Sequence, residues 1–273
     1  MSATLTLPLP PWTVAPLACF VMALAFAVAY PLSRTEPAGE GVSWPAVYPS
    51  AAINYPPSSD VGGLIISVAC VLMSYAFVVR HAENAARLGA QHAAVNGGAL
   101  VVALLGMVLG PLGVVAYPWH LYPGTHFFFA YSTFYLGALY LLLQSALDAA
   151  RPEAVPAWLR HARLGLVAVG VVAMTSYIAC FGAIGHRRGG SLVHSAGAST
   201  AGEACVELLC MVLLLLYVSS FGASQAMAGL SLQLTATLRD VAPPREGAEA
   251  GPSAATPLLG GKGAAAASYD AAA

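Results

Sequence analysis

The chain has 273 residues and a formal net charge of −1, and it is 58% hydrophobic but only 8% charged. Soluble domains carry about a quarter charged residues, so a chain this poor in charge could not clothe a water-facing surface and reads as a membrane protein. The near-zero net charge excludes a basic footprint for nucleic acid or other polyanions.

Six apolar runs are long enough to cross a hydrocarbon core of about 30 Å as helices. The first, about 12–31, follows Pro11. No Lys or Arg precedes it, and it ends at Tyr30-Pro31 rather than in a small-residue cleavage site, so it is expected to span rather than to be a signal peptide. The second, about 61–80, opens on Pro56-Pro57-Ser58-Ser59-Asp60. An aspartate there can cap the helix and favour its positive end, or be a charge placed for function. The third, about 97–117, carries Gly106-x-x-x-Gly110, a small-residue face for close packing, and Pro111, expected to kink it.

The fourth run, about 126–147, begins at His126, just past His120 and Gly124. It holds Gln144 near its far end, expected to hydrogen-bond a neighbouring helix. The fifth, about 163–184, gives way at Gly185 to a loop with His186, Arg187, Arg188 and His194. The sixth, about 203–222, opens with Glu203, expected to be solvated. Glu207 lies one turn deeper, ahead of "LLCMVLLLLYVSS". A charged side chain within the membrane costs about 2.5–3.5 kcal/mol on insertion scales, so Glu207 has to be protonated, paired or facing a wet cavity. From 223 onward Ala, Gly, Pro and Ser dominate, with too little apolar surface to bury, and the tail is expected to be mostly disordered.

The expected architecture is an all-α membrane protein, a six-transmembrane-helix bundle over residues 1–222 with a cytosolic tail at 223–273. The arginines orient it. One side carries Arg80, Arg87, Arg151, Arg160, Arg163, Arg239, Arg245 and Lys262, the other only Arg34, Arg187 and Arg188. Eight against three puts the N- and C-termini in the cytosol.

That topology gathers Asp60, His120, His126, His186, His194, Glu203 and Glu207 at the lumenal side. A layer holding Asp60, His126 and Glu207 could bind a lipid headgroup or perform acid–base chemistry, or merely lock the bundle as a polar network. Glu207 is expected to face the interior, with His126 or Asp60 close by. Cys19, Cys70, Cys180, Cys205 and Cys210 all lie inside apolar runs and read as packing residues. Neither a zinc-spaced set nor a phosphate-cradling loop is present, so no metal or cofactor is expected.

Four motifs in order carry a resemblance. Before the second run stand Pro56, Ser59, Asp60 and Gly62, a P-x-x-S-D-x-G pattern. Arg80 closes that run, and Asn96 opens the third with Gly106 ten residues on. The fourth run carries His126, Tyr140, Gln144 and Ser145, and the sixth Glu207, Tyr217 and Phe221. In these features the chain resembles the DRAM family, the damage-regulated autophagy modulators. The wider group includes GPI-anchor lipid-remodelling proteins and plasma-membrane phosphoinositide regulators. The resemblance covers roughly residues 10–240. His194 departs from it, standing farther from Glu207 than the family's histidine does from its glutamate.

The resemblance implies a multi-pass endomembrane protein, of lysosome or vacuole first, with Golgi and plasma membrane as alternatives. It implies regulation of autophagy and lysosomal function, with GPI-anchor or other lipid remodelling as the alternative. A transporter ranks lower, because the two halves show no matched pair of broken helices. Membrane lipids and other membrane proteins are the expected partners.

Overall fold

The computed structural model describes residues 2–5, 10–33, 49–150, 152–187, 200–227 and 234–237; the side chains of 2–5, 51, 154, 177–187, 200–203 and 234–237 lie outside that description. The chain divides into two compact units. One, Leu5–Leu234, contains every described helix. The other joins Met1–Thr4 to Thr235–Ala273, and its described part belongs to a two-stranded sheet of β1 (Ser2–Leu5) and β2 (Leu234–Thr237).

The helices are α1 (Pro11–Ser33), α2 (Ser58–Leu88), α3 (Ala93–Ala103), α4 (Gly110–Ala116), α5 (Pro123–Ala150), α6 (Ala157–Arg187) and α7 (Thr200–Met227). They make six segments long and apolar enough to cross a membrane, because α3 and α4 belong to one span, Ala90–Ala116. A π-helical turn at Leu104–Leu109 joins them. It lies directly before Pro111, which has no N–H to offer the carbonyl four residues back, so the hydrogen-bond register shifts where the kink was expected.

Large apolar side chains on the outside, such as Phe20, Leu64, Val71, Phe128 and Val172, are each more than 60% exposed. So much outward-facing apolar surface suits lipid and would aggregate in water. Within the bundle α1 runs along α2 and α7, α5 packs on α3, the π turn and α4, and α6 leans on α7 and α5. The expected small-residue seam is present: a Cβ at Gly106 would stand 2.5 Å from the Leu136 Cβ of α5. Only glycine lets those backbones approach so closely.

Several boundaries move outward from the hydropathy runs. α2 continues eight residues past Arg80 to Leu88, α6 begins at Ala157 rather than 163, and α7 passes 222 to end at Met227. In α2 and α7 the added turns carry polar residues that are buried, Glu83, Asn84, Ser224 and Gln225; in α6 they bury Leu159. Cys19, Cys70 and Cys210 are buried as expected, but Cys205 is exposed on α7, and the Cys180 side chain lies outside the described residues.

Candidate functional site

α2, α5 and α7 all start at one end of the bundle and finish at the other. Each end holds a polar layer, and the two differ in kind.

At the starting end Glu207 is buried, 5% exposed, in the second turn of α7. It faces inward. The Ser50 amide, in the turn before α2, donates to Glu207 Oε1 at 3.4 Å. Both residues line a cavity of about 80 Å³ that reaches among α1, α2, the π turn, α4, α5 and α7. Its other walls are apolar except for Thr133, and they include Met22, Met73, Met107 and Met211, four of the chain's seven methionines. Met107 belongs to the π turn, a local irregularity often found beside functional sites.

Among the described contacts, neither of the other two residues of the expected layer touches Glu207. His126 is buried, but its Nδ1 lies 2.9 Å from the Tyr117 carbonyl. A carbonyl can only accept, so Nδ1 carries the proton and Nε2 keeps the lone pair. Asp60 is exposed in the first turn of α2, where its described hydrogen bond is a 3.5 Å contact from Ser59 Oγ. Neither lines the cavity. His120 is exposed and stacked on Tyr55, its ring centroid 4.3 Å away, with Nδ1 3.1 Å from Asn54 Oδ1. His194 and the side chains of His186 and Glu203 lie outside the described residues.

The opposite end holds a network of buried charges. Arg80 donates from Nη2 to Asp148 Oδ1 at 2.5 Å and from Nε to Gln144 at 3.2 Å, and its Nη1 pairs with Glu83 Oε2 at 3.0 Å. Arg163 holds the other Asp148 oxygen at 2.7 Å. It also donates to Ser220 Oγ, the Ser220 carbonyl and Ser224 Oγ. Asn84 links Gln144 to Asn96 at 3.0 and 3.1 Å, and Gln225 donates to Glu83 at 3.2 Å. Arg87, still partly exposed, pairs with the second Glu83 oxygen at 3.1 Å.

Aromatic rings roof the charges. The guanidinium carbons of Arg80 and Arg163 stand 4.9 and 5.2 Å from the centroid of Phe221, which is fully buried. Tyr217 shares a 2.9 Å hydrogen bond with Ser145, and Tyr140 meets Phe77 edge-on. The charges of this network are all paired, while Gln225 Oε1 and the Tyr140 hydroxyl are buried without a described hydrogen bond; paired networks rigidify what they join.

The motif residues therefore sort by end. Arg80, Asn96, Tyr140, Gln144, Ser145, Tyr217 and Phe221 all belong to the charged network or its aromatic roof. Pro56, Ser59, Asp60, Gly62, His126 and Glu207 lie at the cavity end. Gly62 is needed there for space, since a Cβ would stand 2.9 Å from Ile53 Cγ2 and 3.2 Å from Ala29 Cβ. A family model described as the Frag1/DRAM/Sfk1/Cwh43P N-terminal domain matches residues 9–223, which takes in every one of these positions.

The chain belongs to the Frag1/DRAM/Sfk1/Cwh43P family. No curated protein and no solved structure matches it. Membership in the Frag1/DRAM group makes it a multi-pass membrane protein of that kind, in agreement with its six spans.

Sequence reasoning overlooked Glu83, Asn84, Asp148, Ser220, Ser224 and Gln225, and it counted Arg80 and Arg163 as surface charges. The signal available was Arg80-x-x-Glu83-Asn84, an opposite-charge pair one helical turn apart that continues the α2 pattern. Ser50 and the methionines of the cavity gave no signal, because nothing in their spacing relates them.

Proposed function

We propose that this Frag1/DRAM-group protein is a lipid-responsive regulator of the endomembrane system, acting on autophagy and lysosomal function. In this reading the cavity at Glu207 takes up part of a membrane lipid. The observation that supports it is an interior space walled by apolar side chains, with one buried carboxylate and one backbone N–H at its polar end. A lipid tail leaving the bilayer gains nothing from apolar burial alone, since the bilayer is already as apolar as the cavity. Recognition then rests on the polar end and on shape. The four methionines suit a flexible tail, because unbranched thioethers repack around irregular guests.

The charged network at the far end acts as the fixed base of the bundle, and the cavity end is the responsive part. Both termini face the cytosol. Two of the basic residues behind that assignment, Arg80 and Arg163, are committed to internal pairs. Of the eight, six remain against three, and the bias keeps its sign.

A tagged copy should sit on lysosomal or vacuolar membranes, and loss of the protein should slow autophagic degradation of a long-lived reporter. Ala130→Phe, which fills the cavity from α5, should localise normally yet fail to restore degradation. Unchanged degradation together with altered GPI-anchor lipids would overturn this reading in favour of anchor remodelling.

A further inference from the structure

Among the described residues, five charged side chains are buried: Arg80, Arg163, Glu83, Asp148 and Glu207. Four of them satisfy one another. Asp148 is held by both arginines, and Glu83 by Arg80 and Arg87. Glu207 is the buried acid left over. No described Lys, Arg or His stands within ion-pair distance of it, and its described donors are the amide, at 3.4 Å, and the hydroxyl of Ser50. Kept ionised, a buried carboxylate without a counter-charge is costly, and here it opens onto a cavity.

From this imbalance we infer that the cavity ligand supplies the missing cation: it is a membrane-resident single-chain amphiphile with a primary amine head. The ammonium seats between the Glu207 carboxylate and the space beside Ser50, and the chain runs among Met22, Met73, Met107 and Met211. An ammonium offers three donors to a carboxylate whose described donors both come from one neutral residue, Ser50. A phosphate or carboxylate head would instead set like charge against Glu207. A neutral alcohol fits the walls but brings no cation, so beside it Glu207 has to take up a proton. This inference rests on the lipid-cavity reading above and adds the charge of the head.

The test uses full-length protein in phosphatidylcholine nanodiscs and two photoreactive probes of equal length, a diazirine dodecylamine and the matching dodecanol. Labelling of the peptides containing Met107 and Met211 is read by mass spectrometry. The amine should label them roughly tenfold more than the alcohol, as expected for one buried charge pair. Glu207→Gln should bring amine labelling down to the alcohol level without changing the alcohol's. If both probes label equally in the unaltered protein, the amine assignment falls while the lipid cavity stands. If neither labels these peptides, the cavity reading itself falls. Should Glu207→Gln fail to fold, the amine-to-alcohol ratio in the unaltered protein decides alone.

Discussion

Arg80 and Asp148, 68 positions apart in the chain, meet with 2.5 Å between Nη2 and Oδ1 and with both side chains almost wholly buried. The contact ties α2 to α5, and Arg163 on the other Asp148 oxygen extends it to α6 and, through Ser220 and Ser224, to α7. Asp148→Asn leaves two buried guanidiniums without their shared anion and should destabilise the bundle by about 3–5 kcal/mol. Thermal unfolding in detergent measures this. Arg80→Met with Asp148→Leu should cost less than the two single changes added together, because each single change strands a charge that the double change removes. Additive losses would show that the residues are not coupled.

Two glycines of the third span separate close approach from mere smallness. Gly106→Ala would push a methyl to 2.5 Å from Leu136 Cβ and 3.2 Å from the Gly137 nitrogen, so backbone has to move. A loss of about 1–3 kcal/mol is expected for such overpacking. Gly97, inside α3, has nothing within 4 Å of its would-be Cβ. Gly97→Ala should therefore stabilise by up to about 1 kcal/mol through helix propensity. Equal effects at the two sites would refute the seam between the third span and α5.

Sidedness is checked by glycosylation mapping. A new acceptor sequon placed between residues 34 and 48 should be modified, and one placed in the 151–156 connection should not. The reverse pattern would invert the topology and put the Glu207 cavity at the cytosolic end.

Truncation after about residue 242 should leave an inserted, detergent-stable protein. The last described helix ends at Met227 and β2 at Thr237, and the remaining Ala-, Gly- and Pro-rich sequence has little apolar surface to bury. Loss of monodisperse protein on truncation would show instead that the tail is structural.

The six spans were legible because hydropathy over about twenty residues is a strong signal. Their ends were not. Hydropathy stops where charge begins, at Arg80 in α2 and at Arg163 in α6, yet both helices run on because those charges are paired inside the protein. The depth and inward direction of Glu207 could be read from its cost in lipid. Its neighbour could not, since Ser50 reaches it from 157 positions away, out of a turn with no periodic pattern. No described hydrogen bond or ion pair joins Asp60 or His126 to Glu207, and the reason is geometric. Asp60, His126 and Glu207 begin three helices at one end, but similar depth does not bring side chains together around a bundle. His126 turns instead to the Tyr117 carbonyl, and Asp60 points outward. The motif residues gave the family correctly, although seven of them serve the end opposite the cavity.

Whether the cavity holds a lipid is decided by native mass spectrometry of the full-length protein purified from its membranes, beside Ala130→Phe prepared in the same way. The unaltered protein should keep a bound lipid adduct after the detergent is stripped, and Ala130→Phe, equally folded by thermal unfolding, should lose it. An unaltered protein that emerges bare, or an Ala130→Phe variant that keeps the same adduct, would contradict a lipid-binding cavity at Glu207.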